Sequence, residues 1–75
     1  MPADLARLDQ LIGESEQRIT EQVFRIMDAE VAGRDTERLR RSLKALEGIL
    51  VEFHHARKLA VAAQRMLARD ASPPR

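Results

Sequence analysis

Glu52-Phe53-His54-His55 is the stretch in which residue type and spacing come nearest to a reactive constellation. A glutamate three residues before a histidine is the pair that di-iron carboxylate bundles direct into their cores from two helices, and two copies of this chain would supply two such pairs. On a helical wheel, however, Glu52 and His55 straddle a direction nearly opposite the apolar residues, while Phe53 points inward. The pattern therefore predicts two surface histidines, with His54 available to a partner, and neither a metal ion nor a cofactor. A second cluster, Arg34, Arg38, Arg40, Arg41 and Lys44, is dense enough to hold phosphates as a point-charge patch. The chain has no Trp or Tyr for base stacking and no helix-turn-helix or other nucleic-acid module. With Asp28, Glu30, Asp35 and Glu37 close by in sequence, a solvated and partly paired basic face is the first expectation and a nucleic-acid site the alternative.

Other chemistry finds little to stand on. The glycines are Gly13, Gly33 and Gly48, and none lies in a spacing that cradles an anion. Ser15, Ser42 and Ser72 have no histidine within sequence reach of a triad-like arrangement. The chain has no cysteine, which removes both a disulfide framework and a thiolate metal site. The expectation is a binding protein and not an enzyme.

The elements that must position these residues are long helices. Leu5, Leu8, Ile12, Ile19, Val23 and Ile26 recur at steps of three, four or seven and fall within an arc of about 60°. They predict one helix from about residue 4 to 32. Leu39, Leu43, Leu46, Ile49, Leu50, Phe53, Ala56, Ala60, Ala63 and Leu67 predict a second helix, from about 36 to 69, whose apolar arc of about 160° is wider than one neighbouring helix can cover. Between them, Gly33 suits the left-handed position just past a helix end, and Asp35 or Thr36 can accept hydrogen bonds from the free amides of the next helix. Stop and start signals this close specify an antiparallel hairpin with its turn at 33–35. Pro73-Pro74 cannot continue a helix, so 71–75 reads as a loose tail.

Folding the chain about residues 34 and 35 sets Val31 near Leu39, Ile26 near Leu43, Val23 near Leu46, Ile19 near Leu50 and Leu8 near Ala60. Ser15, Gln22 and Arg57 fall at seam positions, where they either fix the register or reach water at the rim. Gly13 and Gly48 lie inside helices at a cost of about 1 kcal/mol each against alanine, which predicts a close helix approach or a bend at each.

Charge is divided between the halves. Residues 1–32 carry three arginines against seven carboxylates, and residues 33–75 carry ten bases against five acids. An acidic helix beside a basic one reads as mutual recognition, within the chain or between chains. Phe24, Met27 and Val31 make a second apolar stripe on the first helix, and Ile49, Leu59 and Met66 exceed what the first helix can cover on the second. Together they form the expected interaction face, which self-association into a four-helix bundle would bury. No apolar run approaches a membrane span, and Met1-Pro2-Ala3-Asp4 lacks the start of a signal peptide, so the expected location is the cytoplasm and the expected partners are a second copy and another protein.

The stretch Ile12-Gly13-Glu14-Ser15-Glu16-Gln17-Arg18-Ile19, then Gly33-Arg34-Asp35-Thr36 and Leu43-Lys44-Ala45-Leu46-Glu47, resembles a group of short alphaproteobacterial two-helix proteins of unknown function. In that group an I-A-E-G-E-R-R-I type segment leads to a G-R-D-T turn and an L-L-x-x-L-E-x-x-L segment. The likeness spans about residues 8–60, and its sharp element is the Gly-x-Asp-Thr turn. Ala32 and Ser15 depart from the group's pattern, which often has an acid and a glycine there. The resemblance implies the hairpin fold and no active-site residues.

Overall fold

The structure, a computed structural model, describes residues 5–70, apart from the side chain of Asp70. It consists of α1 (Leu5–Val31, 27 residues) and α2 (Glu37–Asp70, 34 residues), packed on each other as an all-α hairpin. Neither helix contains proline, and both are rich in Ala, Leu, Glu, Gln and Arg, which lose little side-chain freedom in helical geometry. The expected loose tail at 71–75 lies outside the described residues.

The turn between them satisfies its own backbone. Gly33 adopts φ 70°, the left-handed region where only glycine is free of side-chain repulsion. That conformation lets the Arg34 amide donate to the Ala29 carbonyl at 2.8 Å and the Gly33 amide to the Glu30 carbonyl at 3.0 Å. These two bonds close α1 as a Schellman motif. One residue later the Asp35 carboxylate accepts from the Glu37 amide at 3.0 Å, and the Thr36 carbonyl accepts from the Arg40 amide at 2.9 Å as the first bond of α2. Glu37 in the first turn of α2 and Arg69 in its last turn complement the helix dipole.

Burial repeats every seven residues on each helix. On α1 the inward residues are Leu5, Leu8, Ile12, Ser15, Ile19, Gln22, Ile26 and Ala29, at alternating steps of three and four. On α2 they are Leu39, Leu43, Leu46, Leu50, Phe53, Arg57 and Ala60, again at steps of three and four. One inward line of α1 is uniformly aliphatic (Leu5, Ile12, Ile19, Ile26), whereas the other passes from Leu8 to Ser15, Gln22 and Ala29. The interior is thin, and no large side chain among the described residues is fully buried.

Several details of the expected seam are corrected. Gln22, expected at the seam, is indeed inward at 6% exposure, whereas its neighbour Val23, expected opposite Leu46, lies at the rim at 39%. The Gln22 side-chain amide donates to the Leu39 carbonyl at 3.0 Å, which removes the penalty of burying it. Val31 does not shelter against Leu39: it is 91% exposed, because it lies seven residues after Phe24 on the line of α1 opposite the seam. Ala63 and Leu67, within the apolar arc read for the second helix, are exposed, as is Ile49 of the expected interaction face. For Leu67 the reason is length: Arg57 meets Asp9, so the last two turns of α2 run past Leu5, the first described residue of α1. Gly13 and Gly48 mark no close approach, since a Cβ built on either meets nothing within 4 Å.

Candidate interaction surfaces

Two helices side by side leave two edges, where they meet, and two outer faces. The edges differ. On the first, Arg40 of α2 is clasped by Glu30 of α1 and donates through Nε to the Thr36 hydroxyl at 2.9 Å. Further from the turn, Arg57 Nε donates to Asp9 Oδ1 at 2.6 Å. These are the two ion pairs among the described residues, and each joins the acidic helix to the basic one. The charge division read from the sequence is thus expressed along this edge. All four side chains are substantially solvated, so each pair adds little to stability and mainly orients the helices.

On the second edge the same two helices present a cleft of about 160 Å³, lined by Leu11, Glu14, Ser15 and Arg18 from α1 and by Leu46, Ile49 and Phe53 from α2. Nearer the turn this side continues through Arg25, Asp28 and Leu39. Arg18 and Arg25 have no ion-pair partner among the described residues. Leu11 and Phe53 are half-buried and Ile49 is 46% exposed, so this edge is apolar at its centre and bears both signs of charge at its margin.

The six residues expected to form an interaction face are all exposed, but the fold does not bring them together. Phe24, at 60% exposure, and Val31 stand on the outward line of α1, with Met27, at 52%, turned toward the charged edge. Ile49 belongs to the apolar edge. Leu59 and Met66, seven residues apart, lie on the outer face of α2. Leu11 was missed in the sequence because it adjoins Ile12 and falls outside the narrow stripe; its step of four to Ser15 was the available signal.

Glu52 and His55 are both exposed and line a shallow depression on the outer face of α2 with Val51, Ala56 and Leu59. Among the described residues no group of three or more His, Cys, Asp or Glu is placed to hold a metal ion. His54 lies nearer the charged edge, beside Arg57, Lys58, Val61 and Arg65. Arg34, Arg38, Arg40, Arg41 and Lys44 are exposed around the turn end of the hairpin. Arg40 is engaged by Glu30, whereas Arg34, Arg38, Arg41 and Lys44 have no ion-pair partner among the described residues. No helix among the described residues is long and apolar enough to cross a membrane. Neither a family model, nor a curated protein, nor a solved structure matches the chain.

Proposed function

We propose that the chain is a small protein-protein interaction module of the cytoplasm, without catalytic activity of its own, that pairs with a second copy and docks another protein on the apolar faces the hairpin leaves open. The observation that carries this reading is the exposure of large apolar side chains on every side except the seam, Phe24, Met27, Val31, Ile49, Leu59 and Met66 among them. Covering one such side chain is worth about 1.5 to 3 kcal/mol when burial is complete. That is comparable with the roughly 3 to 5 kcal/mol that a single core of this size supplies. Light scattering coupled to gel filtration, run from about 1 to 100 μM, is expected to return twice the chain mass of 8.5 kDa. A mass of one chain throughout that range would remove self-association from the reading.

A second reading, a nucleic-acid-associated regulator using the basic turn, is favoured by one observation: Arg34, Arg38, Arg41 and Lys44 stand without carboxylate partners among the described residues. Binding through these side chains would weaken steeply with salt, whereas docking on apolar helix faces would not. Titration of a labelled RNA or DNA duplex at two salt concentrations separates the readings.

A further inference from the structure

We infer that the second copy docks on the edge formed by Leu11, Leu46, Ile49 and Phe53, across a two-fold axis, and that the Phe24-Met27-Val31 stripe lies outside that interface. The inference rests on the proposed self-association and assigns its place. Three observations on the molecule support a copy of the same chain as the occupant.

The first is area. The chain exposes 6434 Å², whereas a folded monomer of 8.5 kDa is expected to expose about 4,700 Å². Even with residues 1–4 and 71–75 assigned the full area of an unfolded chain, about 1.45 Å² per dalton, a surplus of about 800 Å² remains. A hairpin of two long helices carries surplus surface by its shape, and this surplus is large enough to supply one partner's share of a standard interface, about 800 Å².

The second is topology. A closed two-fold dimer uses one patch on both copies, and a patch to which both helices contribute on a single side of the hairpin gives each copy the two-helix surface that a four-helix bundle joins. The apolar edge is such a patch, since α1 and α2 both line its cleft. The outward stripe of α1 and the outer face of α2 point in opposite directions. Joining one to the other would build an open chain of hairpins, not a closed pair.

The third is charge. On the other edge Asp9, Glu30, Arg40 and Arg57 are already paired within the chain. On the apolar edge Glu14 accepts a hydrogen bond from Gln10 and Arg18 has no carboxylate among the described residues. Both line the same cleft. A two-fold axis perpendicular to the helices and passing between these residues would set Arg18 of each copy against Glu14 of the other, making the edge complementary to itself.

Two sets of variants test this by light scattering and sedimentation. Ile49→Arg is expected to yield a single-chain mass at concentrations where wild type is paired, while Phe24→Arg with Met27→Arg leaves the mass doubled. Because Ile49→Arg also threatens the hairpin, its helical circular dichroism is measured alongside. The exposed charges give a set that spares folding: Arg18→Glu is expected to weaken the pair about tenfold, and adding Glu14→Arg to restore it. The assignment is overturned if the Phe24 and Met27 changes separate the copies, or if Arg18→Glu leaves the dissociation constant unchanged. A wild type that is single-chain throughout would instead sink the self-association reading on which the assignment stands.

Discussion

Along one edge of the hairpin, Glu30 meets Arg40 and Asp9 meets Arg57; along the other, Leu11, Ile49 and Phe53 surround a cleft that Arg18 overlooks without a partner among the described residues. Both edges are drawn from the same two helices and differ by which residues flank the inward lines. The paired edge is finished within the chain: its charges orient α1 against α2 and leave little for a partner to gain. The apolar edge is unfinished. The comparison teaches that the two flanks of one seam can be put to different use, with ion pairs that orient the helices on one and exposed apolar side chains on the other.

The most severe way to test that separation is to attack what the edges share. Ile26 is buried between them. Truncating it to alanine is expected to remove about 2 to 4 kcal/mol, most of what a core this small supplies. Urea titration followed by circular dichroism should show the hairpin largely unfolded at low protein concentration, and a variant with wild-type stability would mean that the seam is not the main source of stability.

The next effect acts at the turn, which sets how the flanks meet. Gly33 has φ 70° and open space around its Cβ position, so the penalty of a side chain there comes from backbone conformation alone. Gly33→Val is expected to destabilise by about 1 to 2 kcal/mol. Thermal melting checks the size, and small-angle scattering would reveal whether the two helices have fused into one long rod.

Gly13 and Gly48 sharpen the comparison in the opposite direction. Each is exposed in a helix interior with nothing near a built Cβ. Gly13→Ala and Gly48→Ala should each stabilise by about 0.5 to 1 kcal/mol, read as a raised melting temperature with the association state unchanged. The smallest effect belongs to the paired edge. Asp9→Asn should change stability by less than about 1 kcal/mol and lose even that difference in high salt. A larger loss would mean that the charged edge contributes more than orientation.

The turn was legible because its causes are local. A glycine past a helix end, followed by Asp and Thr, carries its hydrogen-bonding instructions within six residues. The seam was legible only in outline. Hydropathy ranks Val23 above Gln22, yet the alternation of threes and fours set by Ile19, Ile26 and Ala29 turns Gln22 inward, where a carbonyl of the facing helix receives its amide. That acceptor belongs to Leu39, seventeen residues away, and no local pattern announces it. The same limit scattered the expected interaction face: Phe24, Met27 and Val31 all lie exposed, off the narrow stripe. Which flank each apolar residue joined, however, depended on the facing helix, and Leu11 passed unnoticed for want of that information.

The Gln22 bond also bears on how the chain finds its shape. It joins residues 17 apart, whereas the Asp9 to Arg57 pair joins residues 48 apart. Closing the longer loop from an open chain costs about 0.9 kcal/mol more in entropy, so association that starts at the turn and closes outward is the economical route. Backbone amides flanking Gln22 and Leu43 should exchange with solvent slowest, and those beyond Ala62 fastest, as in a zip fastener that opens from its free end. The glutamine at the seam acts early on this route, committing the two strands of the zip to one alignment before the distant half has met.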